Sequence, residues 1–457
     1  MGIGVLSDGA FLFVAGTRPE AVKLSPVILA LRRRGRATFL VATGQHRELF
    51  HEALAGFGLA ADADLAIMRS AQSPADVIGA LVPALTALCD RMRPAAVIVQ
   101  GDTATAFAGA QAAAYARRPL VHVEAGLRSG QAEPFPEEMH RRAIAQIADL
   151  HFAPTPGAAA ALLREGIAAS VIHMTGNTGI DALRHVEARL AGDAVLSAAL
   201  AARFSAIDFR RPLIVATVHR RENHGARLES VLAALLELSG EAEIVVPVHP
   251  HPAVAGPVLA ALGGRPGIHL LPPLGFPAFI WLLGRATLAL TDSGGVQEEA
   301  PALGVPVLVL RDVTERPEGI DAGNARLVGT ARHEILAAVR GLLGDSRAIG
   351  RMGEAALPYG SGDAAVRIAA ILAATYPLPR LGAEPAHHRD EIGEARGDRA
   401  GVVDGDGRAG VETEYRQAHG DAMIEPGGDG GAAGDFLPAI AGDDQAIGQF
   451  LDGHAAG

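Results

Sequence analysis

Short continuous apolar runs alternate with amphipathic stretches along most of the chain. Runs rich in Val, Ile, Leu and Ala predict strands over residues 11–15, 38–42, 97–100, 120–124, 151–153 and 171–174. The series resumes over 213–217, 243–248, 269–271, 287–290 and 306–310. Between these runs, apolar residues three and four apart predict helices over 19–34, 74–92, 103–116, 157–165, 228–238 and 333–343. Strands that are apolar throughout, each followed by a helix, predict parallel sheets covered on both faces. Residues 180–206 show helical pattern with no strand, so the array divides near Gly176-Asn177 into two doubly wound α/β domains. A ligand is expected at the carboxyl ends of the strands, in the cleft between the domains. Beyond Pro377 the pattern stops. Segments such as Glu425-Pro-Gly-Gly-Asp-Gly-Gly cannot bury a core, and residues 378–457 read as a disordered, low-complexity tail.

Composition narrows the chemistry. The formal charge of −11 is concentrated at one end: from Arg380 onward 6 Arg stand against 16 Asp and Glu, which leaves about −1 for the first 379 residues. With no basic stripe and 4% aromatic residues, no nucleic-acid partner is expected. The run Phe11-Leu-Phe-Val14 is too short for a signal peptide or membrane span, so no membrane association and a cytoplasmic location are expected. Cys89 is the only cysteine, which rules out a disulfide framework and a cysteine-rich metal site. Lys23 is the only lysine. A Walker A lysine and a Tyr-x-x-x-Lys dyad are therefore absent, and a pyridoxal-phosphate Schiff base would need Lys23 itself.

The candidate chemistry sits at predicted strand ends. Thr291-Asp-Ser293-Gly294-Gly295 joins a strand to a helix, where bare backbone N–H groups at the positive end of the helix dipole favour phosphate oxygens; a tight turn that needs glycine is the alternative. Glu299 follows one helical turn later, placed to accept hydrogen bonds from sugar hydroxyls. Arg311 and Arg316 leave the next strand, and together these features point to a phosphorylated ligand, a sugar nucleotide. Arg18 and Lys23 in Gly16-Thr-Arg-Pro-Glu-Ala-Val-Lys23 can both reach an anion at a helix start. Asp102 in Gly101-Asp-Thr is either a helix N-cap or a catalytic carboxylate. Glu124 closes an apolar strand, so it is either paired with an arginine or held at a perturbed pKa for proton work. Glu137 and Glu138 follow Pro136 at a helix start that favours acids in any case. His219-Arg220-Arg221-Glu222 leaves the first strand of the second domain. His249-Pro-His251 has a spacing that can bind metal, but no matching carboxylate or cysteine set accompanies it, and it reads as structural or ligand-positioning.

These motifs, in one order over about residues 10–376, resemble the non-hydrolysing UDP-N-acetylglucosamine 2-epimerases: Gly16-Thr-Arg-Pro-Glu-Ala-Val-Lys23, Gly101-Asp-Thr, His122-Val-Glu-Ala-Gly-Leu-Arg128, Pro136-Glu-Glu, Gly176-Asn-Thr, His219-Arg-Arg-Glu, Asp292-Ser-Gly-Gly-Val-Gln-Glu-Glu-Ala-Pro301, Thr314-Glu-Arg-Pro-Glu318 and Pro358-Tyr-Gly360. The resemblance implies a GT-B-like fold of two Rossmann-like domains, residues 1–176 and 177–362, with 363–377 crossing back to the first. It implies conversion of UDP-N-acetylglucosamine to UDP-N-acetylmannosamine with no cofactor and no metal, by elimination of UDP through 2-acetamidoglucal and its re-addition. A homodimer is expected. The implied catalytic set is Asp102, Glu124, Glu137 and His219; the implied substrate contacts are Arg18, Lys23, Phe279, Ser293, Gly294, Gly295, Glu299 and Arg316. Gln45-His46 matches a turn at which a second substrate molecule activates some bacterial members, although Ala71 stands where an arginine contact can occur. Leu274 falls where some members carry glutamine near the base, and His140 replaces an asparagine. A hydrolysing epimerase, an epimerase of a UDP-diacetamido uronic acid, a GT-B glycosyltransferase and a silent sugar-nucleotide sensor are the competing readings.

Overall fold

The computed structural model describes residues 9–44, 47–67, 69, 72–131 and 134–377; the tail read as disordered lies outside them. Two parallel sheets organise these residues. The first contains β1 (Phe11–Ala15), β2 (Thr38–Ala42), β3 (Ala63–Asp64), β4 (Ala96–Gln100), β5 (Leu120–Val123), β6 (Leu150–Ala153) and β7 (Ile172–Met174), in the order β3-β2-β1-β4-β5-β6-β7. The second contains β8 (Leu213–Thr217), β9 (Glu243–Pro247), β10 (Ile268–Leu271), β11 (Leu288–Thr291), β12 (Val307–Val309) and β13 (Ala325–Leu327), in the order β10-β9-β8-β11-β12-β13. Each sheet with its helices forms a lobe, and the architecture is the expected pair of Rossmann-like units.

Strand β1 shows why the apolar runs are continuous. Phe11 and Phe13 point into one core and Leu12 and Val14 into another, each beneath its own helical layer. Successive side chains alternate faces, so a sheet covered on both sides needs apolar residues at every position. Each such side chain contributes roughly 1.5–3 kcal/mol through burial. Gly109 lets the alanine-rich helix Ala104–Tyr115 lie close to the sheet, because a Cβ there would come within 2.8 Å of Val99.

Most strand bounds agree with the pattern to within a residue, and a few elements depart from it. Strands β3 and β13 were not anticipated: β3 is only two residues long, and Arg326 and Leu327 in β13 are exposed at the sheet edge. The stretch 180–206 is two helices, Thr178–Gly192 and Ala194–Arg203, because the Asp193 carboxylate caps the second at Leu196 N–H, 2.9 Å away. Strand β11 starts one residue later than predicted, at Leu288.

In each sheet the strand order reverses once, between β1 and β4 and between β8 and β11. At such a switch point the following loops diverge to opposite faces and open a crevice at the carboxyl ends. The lobes also share core. Phe276 and Ile280 of the helix Phe276–Leu283 and Ala302 of the helix Gly294–Ala302 join the first lobe's apolar cluster, beside Ile180 and Leu183. Ile368 and Leu372 of the helix Ala364–Thr375 belong to that cluster as well. No helix among the described residues is long and apolar enough to cross a membrane.

Candidate active site

The loops at the two switch points carry most of the charged residues singled out above. After β1, the fully buried Glu20 accepts the N–H groups of Gly16 at 2.9 Å and Thr17 at 2.7 Å, and its other oxygen accepts the Thr103 hydroxyl at 2.6 Å. One carboxylate thereby ties the β1 loop to the β4 loop, and burial pushes its pKa up against those hydrogen bonds. Arg18 reaches over the crevice and donates to the Leu274 carbonyl at 2.9 Å. The Leu274 carbonyl is thus occupied by a protein partner.

After β4, Asp102 is not the cap of the helix Ala104–Tyr115. Thr103 fills that role, its hydroxyl oxygen accepting the Ala106 N–H at 3.0 Å. The Asp102 carboxylate instead takes two hydrogen bonds from Arg141, Nε at 3.0 Å and Nη2 at 2.5 Å, both on Oδ2. Arg141 is held in turn by Glu138 at 2.6 Å. His140 bonds the Asp102 carbonyl through Nδ1 at 2.8 Å and stacks on Phe107. The helix Glu137–Ile147 therefore fixes Asp102 through three of its side chains. Glu137 is half-buried at the start of that helix and makes no ion pair among the described residues.

Glu124 follows β5 with φ of +63°, the left-handed region that a non-glycine residue enters at a cost of order 1 kcal/mol. Its side chain is held by Lys23 on one oxygen and Gln100 on the other. The partner is thus the sole lysine, where an arginine was one of the sequence alternatives. Burial raises the Glu124 pKa, with Lys23 opposing it and Glu298 adding to it. Lys23 is pushed above its ordinary range: burial lowers it, and the two carboxylates outweigh burial.

In the second lobe Asp292 is fully buried and accepts the N–H groups of His219 and Arg220, each at 2.9 Å, and Asn223 Nδ2 at 3.0 Å. This carboxylate shapes the loop after β8 and lies 3.3 Å from His219 Nδ1. Burial lowers the His219 pKa against the pull of Asp292, and the ring stacks on His249. His251 caps the helix Pro252–Leu262 through Nδ1, 3.2 Å from Ala253 N–H. Among the described residues no group of three or more ligand-type side chains is arranged to hold a metal.

Ser293 is the N-cap of the helix Gly294–Ala302, whose first N–H groups have no partner within the helix. The glycine at 294 has a steric reason: a Cβ there would lie 2.5 Å from the Arg316 guanidinium carbon. Arg316 donates to Glu298 at 2.6 Å and to Glu315 at 2.5 Å, and Glu315 also binds Arg311 and Arg220. Glu299 is pushed up to about 7 by burial and by its neighbour Glu298. Phe279 packs against the clusters of both lobes, at their junction. Across the crevice, Thr155 donates to Glu318 and Lys23 lies 3.1 Å from Glu298.

This is a two-lobed crevice with carboxylates at the strand ends of one lobe and a glycine-rich helix start with unpaired N–H groups in the other. A family model described as UDP-N-acetylglucosamine 2-epimerase matches residues 29–373. The chain belongs to that family. A UDP-N-acetylglucosamine 2-epimerase of Yersinia pestis is 42% identical over 362 residues, 78% of this chain and 96% of that protein. A Bacillus subtilis protein of the same name is 41% identical over 360 residues, 78% of this chain and 92% of its own. The crystal structure of a Neisseria meningitidis UDP-GlcNAc 2-epimerase bound to UDP-GlcNAc superposes with a TM-score of 0.77 at 37% identity, covering 80% of this chain and 99% of that one. The GT-B-like arrangement is thus shared with solved epimerases.

Within this epimerase-family fold, Lys23, Glu124, Glu298 and Arg316 form one connected network, and Ser293, Gly294 and Glu299 adjoin it on the same helix. Asp102 is joined to the crevice wall through Thr103 and Glu20, and His219 through Asp292. Gln45, His46 and Ala71 lie outside the described residues. Sequence reasoning passed over Glu298, Arg141, Gln100 and Glu20. The signals were present: a second acid beside Glu299, an arginine one turn after Glu137, a polar end to an apolar strand, and an acid at the first helical turn after β1. A surface hollow of about 490 Å³ beside Phe209, Trp281 and Arg285 contains none of these residues.

Proposed function

We propose that this chain inverts C2 of UDP-N-acetylglucosamine, giving UDP-N-acetylmannosamine, by losing and recapturing UDP. The C2 hydrogen is not acidified by a carbonyl, so removing and returning it directly would be slow. Elimination avoids this. A base takes the C2 proton, the C1–O bond breaks with its electron pair on the UDP oxygen, and 2-acetamidoglucal forms. Protonation of C2 on the opposite face and return of UDP to C1 complete the inversion, with no net gain or loss of atoms.

The observation that carries this reading is the Lys23–Glu298–Arg316 connection, which joins the carboxylate lobe to the anion-receiving lobe. Asp102, Glu124 and Glu137 supply proton acceptor and donor from the first lobe. Arg316 and the N–H groups from Ser293 to Gly295 hold the diphosphate, so that the departed UDP stays within reach. His219 is kept neutral by burial and faces the charge that gathers on UDP. Arg18, Lys23, Phe279 and Glu299 complete the nucleotide-sugar contacts. The same reading carries a cytoplasmic homodimer acting without nicotinamide or metal, with the first domain at 1–176, the second at 177–362 and 363–377 returning to the first. A UDP-GlcNAc-bound Neisseria relative supports the substrate class.

Incubation with UDP-N-acetylglucosamine in deuterated water, followed by proton and phosphorus NMR, tests it. Deuterium at C2 of both epimers with the diphosphate retained is the expected result. Stoichiometric free UDP would instead make it a hydrolysing epimerase. Silence towards this sugar would point to a modified one, such as a diacetamido uronic acid, and reaction only with an acceptor present would make it a glycosyltransferase. Tight binding without deuterium exchange would leave a sensor.

A further inference from the structure

Lys23 Nζ lies between two buried carboxylates, Glu124 of the first lobe and Glu298 of the second, the latter 3.1 Å away. The second oxygen of Glu298 accepts Arg316 Nε at 2.6 Å, so Glu298 cannot swing freely away from the lysine. One ammonium cannot fully neutralise two carboxylates. Whatever share of Lys23 is drawn to Glu298 is lost to Glu124, and the Glu298 charge itself opposes ionisation of Glu124. Both effects make Glu124 hold a proton more readily, so their sign is not in question.

The charged groups facing Glu124 are few. Lys23 comes from the helix Arg18–Arg33, Glu298 from the helix Gly294–Ala302 and Arg316 from the start of the helix Pro317–Asp321; Gln100 of β4 adds an uncharged donor. Only Glu298 among them is an acid, and it belongs to the opposite lobe.

We propose that Glu298 is a positioning residue for the reaction: reaching across the crevice, it draws Lys23 partly off Glu124 and so keeps Glu124 able to accept a proton. The consequence is a link between the lobes and the chemistry. Glu124 has this proton affinity only while the second lobe brings Glu298 up to Lys23; with the lobes apart, Lys23 would rest wholly on Glu124 and weaken it as a base. The turnover arm of the test below rests on the epimerase reading; the spectroscopic arm does not.

The experiment uses the fact that Lys23 is the only lysine in the 457-residue chain. Lysine labelled with ¹³C at Cε gives one side-chain signal in the intact protein, and that signal shifts as neighbouring carboxylates gain protons. In Glu298→Gln, the midpoint of this titration should move at least about one pH unit lower than in the unaltered protein, the size expected on losing a like charge at this range. The acidic limb of turnover should move with it. In Glu298→Asp, which keeps the charge on a shorter arm, the midpoint should fall between the two. An unchanged midpoint in Glu298→Gln, with turnover lowered equally at every pH, would mean that Glu298 merely orders Arg316, and the proposal fails. Should Glu298→Gln not fold, Glu298→Asp decides alone: a lowered midpoint supports the proposal and an unmoved one overturns it. If the unaltered protein does not turn over UDP-N-acetylglucosamine while its lysine signal behaves as described, the epimerase reading falls, and the effect of Glu298 on the proton affinity of Glu124 stands without it.

Discussion

Asp102 and Glu124 stand at the ends of neighbouring strands, yet they are held in different ways. Arg141 takes Asp102 through Oδ2 alone, and among the described residues no donor reaches Oδ1. Glu124 has a partner on each oxygen and a backbone twisted into the left-handed region. A residue held there against its preference is placed for its side chain, since any glycine would serve the turn at lower cost. Asp102→Asn and Glu124→Gln keep shape and remove the ability to take a proton. Each should lower turnover at least about a hundredfold, the lower end of what general acid–base catalysis supplies. UDP affinity, read by calorimetry, should change far less, because the diphosphate contacts proposed above, Ser293 to Gly295 and Arg316, lie in the other lobe. Turnover close to that of the unaltered protein in both variants would remove these two carboxylates from the proton transfers.

Among the elements, the helix Ala364–Thr375 depends on a neighbour for its start. Its own N-cap, Asp363, makes no side-chain capping bond, and Asp181 of the helix Thr178–Gly192 accepts the Ala365 N–H at 2.9 Å instead. A helix N-terminus favours an anion, but burial and the nearby Asp363 charge outweigh it and push Asp181 up to about 6. A folded-state pKa above the unfolded one means that the stabilising proton is present at low pH and lost as pH rises. The cost therefore grows between the unfolded value near 4 and about 6, and reaches at most about 3 kcal/mol above that window. Asp181→Asn keeps the acceptor oxygen and removes the charge. Its unfolding free energy relative to the unaltered protein should rise across that window and stay flat above pH 7; a constant difference from pH 4 to 8 would show that Asp181 does not titrate there. This cap was not legible in the sequence, since 184 residues separate its partners and no local spacing records them. The same holds for Lys23 with Glu298 and for Asp102 with Arg141. What was legible is what local pattern encodes: continuous apolar strands such as 11–15, the glycines after β11, and the charged residues at strand exits. Edge strand β13 escaped because it is only three residues long and Arg326 interrupts its apolar run.

For the whole molecule, charge and length are divided between two parts of the chain. Every residue that the proposed chemistry uses lies before Pro377, and the match to the Yersinia relative takes in 96% of that protein with only 78% of this chain. Residues from Arg380 onward carry a balance of −10, against about −1 for the rest. Ending the chain after Pro377 should therefore leave turnover within about twofold and the melting temperature within a few degrees, since every residue of the proposed site is kept. Solubility is another matter. A body of some 377 residues with almost no net charge has little mutual repulsion, and proteins near neutrality associate and precipitate more readily. The shortened chain should come out of low-salt solution around neutral pH at concentrations where the full chain stays clear, and moderate salt or a shift of pH should restore it. A shortened chain that is active but poorly soluble assigns the final 80 residues an electrostatic contribution. A large loss of turnover or of melting temperature would instead show that they take part in the folded enzyme or its assembly.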